Sequence, residues 1–198
     1  MKKLANFFSY AFHPIFYFFY LYLAYWMFDP YANHSVMFSG LILSCGFVLF
    51  NTAILPVLLV LLSKRSLVKG SLADRRMSIL FAIIVYTGTY LSIANKIIPE
   101  PLQNLLIATV IGLAIAFVVN YKFKLSLHTS GAGGIVAFSL FRLLETGNDF
   151  YLIHLCVTLL VAGIVGSSRL AVNAHTNTEL YSGYAAGFFS CLLVLFLI

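Results

Sequence analysis

Seven runs of apolar residues divide this chain, and nearly every charge lies in the short segments between them. A helix crossing the hydrocarbon core of a bilayer needs about 20 residues, at 1.5 Å of rise per residue. Within that core the backbone must satisfy its own hydrogen bonds, which leaves helices or a closed barrel. The runs are too long and too continuously apolar for barrel strands. They predict helices at 7–28, 36–62, 77–98, 102–120, 129–145, 150–166 and 179–198. The composition agrees: 62% of residues are hydrophobic and 9% charged, against roughly 45–50% and 25% in soluble domains. The expected fold is all-α, a polytopic transmembrane bundle of seven helices, or six if one segment is re-entrant, forming a single domain over 1–198.

The breaks between runs carry their own chemistry. Asp29-Pro30 ends the first helix, Pro99-Glu100-Pro101 separates the third from the fourth, and Gly147-Asn148-Asp149 turns into the sixth. Asn51 and Pro56 interrupt the second, because proline removes a helical donor and clashes one turn back. Gly183 and Gly187, four apart in the last helix, form a small-residue face suited to close packing. The aromatic residues of FFSYAFHPIFYFFYLYLAYW suit a lipid-facing first helix anchored at the interface. The start MKKLANFF resembles that of a signal peptide, but the run that follows is long enough to span and reads as a retained helix. Cys45, Cys156 and Cys191 lie inside apolar runs and read as small packing residues.

The net charge of +6 does not point to nucleic acid, because the basic residues sit in short loops between spans. With seven helices, one side holds Lys2, Lys3, Lys64, Arg65, Lys69, Arg75, Arg76, Lys122, Lys124 and Arg169. The other holds Lys96 and Arg142, with Asp29, Glu100, Glu145 and Asp149. The positive-inside rule places the first side in the cytoplasm.

Three loops on that basic side hold the reactive groups. KGSLADRRM has Lys69 and Arg76, KLSLHTSGAGG has Ser126 and His128, and SSRLAVNAHTNTEL has Ser168, Arg169, His175 and Glu179. Lysine and arginine supply fixed positive charge, and the arginine fork matches phosphate oxygens. Serine hydroxyls and the N–H groups of helix starts add donors. One histidine can act as nucleophile and another as proton donor. In a helix running on from His175, Glu179 lies one turn later on the same face, where it can hold one imidazole nitrogen and direct attack to the other. Together these groups suit metal-free phosphoryl transfer. His13, before Pro14, reads as an interface or kink residue, and His34 and His154 as structural.

These stretches resemble the type 2 phosphatidate phosphatase superfamily, whose signatures are K-x6-R-P, P-S-G-H and S-R-x5-H-x3-D. Lys69 to Arg76 corresponds to the first, with Met77 for proline. Leu125-Ser126-Leu127-His128 corresponds to the second, with leucines for proline and glycine. Ser168-Arg169, His175 and Glu179 correspond to the third, with Glu for Asp. The likeness covers about residues 69–187, and FHP, DRR and SLHTSGAGG look like a divergent bacterial branch. It implies that His175 attacks phosphorus to form a phosphohistidine, Glu179 orients it and His128 protonates the leaving oxygen. Lys69, Arg76, Ser126, Ser168 and Arg169 would hold the phosphate, with no cofactor and no metal.

The expected activity is hydrolysis of a lipid phosphate or polyprenyl diphosphate in a bacterial inner membrane, with substrate and membrane lipids as partners and no nucleic acid. Phosphatidic acid, phosphatidylglycerol phosphate and polyprenyl diphosphate all fit. A lipid phosphotransferase is a close variant. The alternative from another class is a lipid-phosphate binder without turnover, in which Leu127 fills the phosphate position. A transporter would need ionisable groups deep in the helices, where this chain has few.

Overall fold

The computed structural model describes residues 2–29, 38–63 and 72–198. Among the described residues every regular element is helical: α1 (Lys2–Ala11), a 3-10 turn (Pro14–Phe16), α2 (Tyr17–Phe28), α3 (Phe38–Leu49), a π-helical turn (Phe50–Ile54), α4 (Leu55–Leu62), α5 (Leu72–Ile97), α6 (Glu100–Val119), α7 (Leu127–Thr146), α8 (Asp149–Ala171) and α9 (Asn177–Leu197). Six stretches, Lys2–Phe28, Gly40–Leu62, Glu100–Val119, Leu127–Thr146, Asp149–Ala171 and Asn177–Leu197, are long and apolar enough to cross a membrane. A seventh long helix, α5, has 26 residues. This is an all-α, multi-pass membrane architecture. Large apolar side chains such as Leu43, Leu91, Leu160 and Leu193 project outward, as lipid-facing residues do.

Several helices run further than hydropathy predicts. α1 begins at Lys2 and stops before His13, so the first run is two helices with a break at Pro14. α5 begins at Leu72, which puts Asp74, Arg75 and Arg76 on a helix and not in a loop. α8 continues to Ala171 and carries Ser168 and Arg169 in its last turns. It ends where Asn173 adopts a positive φ of 54°, a backbone state that asparagine tolerates better than most residues. Ala174 N–H then bonds Arg169 O at 3.1 Å and Asn173 N–H bonds Leu170 O at 2.9 Å, closing the helix in a Schellman pattern. Cys156, expected inside, is exposed on α8.

The chain divides into two compact units, Phe18–Tyr121 and the combination of Met1–Tyr17 with Lys122–Ile198. In the first, the expected interruption of the second helix is a π-helical turn just before Pro56. Pro56 has no N–H for the carbonyl of Thr52, four residues earlier. Tyr86 of α5 replaces it, its hydroxyl donating to Thr52 O at 2.9 Å, and both residues are buried. Tyr86→Phe strands that carbonyl. The expected loss is about 1–3 kcal/mol, read as a lower thermal unfolding midpoint in detergent with Tyr90→Phe as the comparison.

In the second unit α7 packs against both α8 and α9, and α1 packs against α8. The α7–α9 contact brings backbones together: Gly183 faces Ser126 and Thr129, Gly187 faces Ser130, and Gly133 faces Tyr184. Gly183 and Gly187 thus serve the packing role that their spacing predicts. At one end of the α7–α8 pair, Ser139 Oγ meets His154 Nδ1 at 2.9 Å and Thr158 Oγ1 at 3.2 Å. Arg142 bonds Tyr151 at 3.1 Å and Glu145 at 2.5 Å. All but the Arg142–Glu145 pair, which lies within α7, are interhelical polar contacts of the kind that hold membrane helices together.

Candidate functional site

At the other end of that unit, the segments preceding α7 and α9 are tied to each other. Ser126 N–H donates to Glu179 O at 3.2 Å, Thr129 Oγ1 donates to Leu180 O at 2.9 Å, and Lys124 Nζ donates to Ala174 O at 3.2 Å. The second and third sequence stretches therefore meet at one place.

His175 precedes α9, and Thr176 is its N-cap. Glu179, at the third helical position, accepts from His175 Nδ1 at 3.0 Å and from Thr176 N–H at 3.2 Å through the same oxygen, Oε2. Thr176 Oγ1 accepts from Glu179 N–H at 3.3 Å. The last two bonds form a capping box, for which glutamate has the necessary reach. One carboxylate thus fixes the helix start and one face of the imidazole. That dual duty gives a physical reason for glutamate at this position. The His175 side chain is 4% exposed.

Ser126 is the N-cap of α7, yet its side chain makes no capping bond. The residue is 0% exposed, and its Oγ has no hydrogen-bond partner among the described residues. A buried hydroxyl without a partner costs about 1–3 kcal/mol, so it is a site at which a ligand acceptor or donor is favoured. His128 follows in the first turn of α7. Its Nε2 lies 3.2 Å from Ser9 O. A carbonyl only accepts, so Nε2 carries the proton in this bond and Nδ1 is the nitrogen left for other chemistry. Arg169 and His175 both lie within electrostatic range of His128. Arg169 NH1 donates to Ser9 Oγ at 2.5 Å.

Ser168, in the same unit, does not offer its hydroxyl to this cluster. It is buried and spends that group on Ile164 O, 2.7 Å away within α8. Arg76 belongs to the Phe18–Tyr121 unit, in the first turns of α5, where its guanidinium stacks 4.4 Å from the Tyr121 ring centroid. Lys69 lies outside the described residues, as do His34, Lys64 and Arg65. Among the described residues no three His, Cys, Asp or Glu side chains gather in a metal-binding arrangement.

Two residues were not anticipated. Ser9 touches both His128 and Arg169, and His13 sets its ring 4.9 Å from that of His128 at 81°. The only local signal is FHP: the residue before a proline is held extended, and His13 indeed has φ −69° and ψ 134°. What remains is a histidine–carboxylate pair, a second histidine, an arginine and an unpartnered serine at one end of α7, α8 and α9. Comparison with known proteins finds no matching family model, no significantly similar curated protein and no significantly similar solved structure.

Proposed function

We propose that the protein is a metal-independent lipid phosphatase of a bacterial cytoplasmic membrane, working through a phosphohistidine at His175. The observation that carries this reading is the meeting of the His175–Glu179 pair with His128 and Arg169 in one unit. Glu179 holds Nδ1 of His175 and so directs Nε2 to phosphorus. The P–N bond forms as the ester P–O bond breaks, and His128 Nδ1 takes the proton of the incoming phosphate monoanion and passes it to the departing oxygen, while Nε2–H stays on Ser9 O. Arg169 and the Ser126 hydroxyl stabilise the charge on the transferring phosphoryl oxygens. Water then attacks phosphorus, the P–N bond breaks, and phosphate leaves with the imidazole restored.

The substrate class follows from the setting. A phosphate head at the helix ends and an acyl or prenyl tail among outward-facing apolar side chains suit a phosphate monoester or diphosphate of a lipid. The near-complete burial of the His175 side chain favours a second reading, a lipid-phosphate binder that does not turn over.

One experiment separates the two. Purified protein in mixed micelles is mixed briefly with radiolabelled phosphatidic acid, phosphatidylglycerol phosphate or a polyprenyl diphosphate, then quenched in alkali. Phosphohistidine survives alkali and is lost in acid. Acid-labile label on the wild-type protein with phosphate release undiminished by chelator is the expected result. Lipid binding without label or release would establish the binder.

A further inference from the structure

We infer that α1 is a working part of this phosphate site, with Ser9 as the positioning residue for both His128 and Arg169 and His13 as the positioning residue for the His128 ring. This rests on the phosphatase reading, but neither residue belongs to the three stretches from which that reading was built.

The placement begins with the faces of α1. Ala5 and Ser9, one turn apart, are buried, whereas Leu4, Phe7 and Tyr10 on the other side are exposed. The buried face packs on α8. Small residues at 5 and 9 let the helices approach, and Ser9 lies close enough to serve two partners. Its carbonyl takes Nε2 of His128 at 3.2 Å and its hydroxyl takes NH1 of Arg169 at 2.5 Å. One residue thereby sets the distance between a group from α7 and a group from α8.

Its chemical type matters as much as its place. A carboxylate in this position would hold Arg169 more strongly but would cancel the charge that an incoming phosphate needs. A serine hydroxyl orients the guanidinium without bringing a negative charge. His13 acts on the other partner. Pro14 opens the 3-10 turn that follows α1, and His13 caps that turn by accepting Ile15 N–H at Nδ1, 3.4 Å away. The ring is thereby held edge-on to His128. Tyr17 completes the support, its hydroxyl 3.5 Å from His128 O.

The test uses purified full-length protein in micelles, with short-chain phosphatidic acid as substrate and inorganic orthophosphate as competing ligand. Ser9→Ala is expected to raise both KM and the orthophosphate inhibition constant about tenfold, the scale of one hydrogen bond to a charged group, with a smaller change in kcat. Ser9→Thr restores both. Ser9→Asp keeps an acceptor for Arg169, so the protein stays folded by thermal unfolding, yet orthophosphate no longer competes. A merely structural Ser9 predicts the reverse, with Ser9→Asp binding as well as wild type. His13→Asn preserves the cap, since asparagine is a good N-cap, and is expected to lower kcat about tenfold at unchanged KM. Folded Ser9→Asp and His13→Asn proteins with wild-type constants would overturn the inference and leave the phosphatase reading standing. A wild-type protein that neither hydrolyses the lipid nor binds orthophosphate would overturn both.

Discussion

Replacing His175 with alanine is expected to cut phosphate release by at least about a thousandfold, because loss of a covalent nucleophile removes the reaction path itself. The protein should stay folded. His175 lies before the first turn of α9, and the helix start is held by Thr176 and Glu179 without it. Glu179 gives the sharper comparison, because its carboxylate has two duties at one oxygen. Glu179→Gln keeps an oxygen acceptor for Thr176 N–H, and glutamine serves in a capping box, so the unfolding midpoint should hardly move. It loses the charge that favours the correct imidazole tautomer and the positive charge that develops on His175 during attack. By the logic of an orienting acid, kcat should fall about a hundredfold or more. Glu179→Ala loses both duties and should also lower stability by about 1 kcal/mol. Turnover and unfolding measured on the three variants separate chemistry from capping. Wild-type turnover in His175→Ala would sink the nucleophile assignment. A Glu179→Gln protein as active as wild type would reduce Glu179 to a helix cap.

Much of the fold was legible because a bilayer imposes a length. Runs near 20 apolar residues predict helices wherever they occur, and α6 and α9 lie within two residues of their predicted bounds. Proline punctuation was equally readable at Pro56 and at Pro99-Glu100-Pro101. Hydropathy fails at helix ends, where polar residues stay helical at the interface. Ser168 and Arg169 read as loop but complete α8, whose stop is the backbone state of Asn173. Spacing anticipated the His175–Glu179 pair, four residues apart, but not its geometry, since His175 lies before the start of α9 and not on its face. It missed that Thr176-Asn177-Thr178-Glu179 is also a capping box, although that signature was there to read. The contribution of α1 had no such signature. Ser9 is 119 residues from His128 and 160 from Arg169, and no periodicity within one chain encodes a pairing at that separation.

Gly187→Ala is the structural change with the largest expected cost. A Cβ built at Gly187 would lie 1.8 Å from Ser130 O and 2.6 Å from its carbonyl carbon. Those are backbone atoms of α7, so no side-chain rotation relieves the clash and the two helices must separate. Overpacking typically costs about 1–3 kcal/mol; with backbone on both sides, the expected value is at or above the top of that range. The effect reaches the site as well. Ser126 N–H to Glu179 O and Thr129 Oγ1 to Leu180 O both cross the α7–α9 contact. Parting the helices therefore displaces Ser126 and His128 from the His175–Glu179 pair. Gly163→Ala in α8 is the matched control. It adds the same methyl group to a membrane helix, but nothing lies within 4 Å of the new atom. There the gain in helix propensity over glycine, about 0.5–1 kcal/mol, should leave the protein unchanged or slightly stabilised. Unfolding midpoints in detergent should drop sharply for Gly187→Ala and not for Gly163→Ala. Equal midpoints would mean that the α7–α9 backbone contact does not hold this unit together.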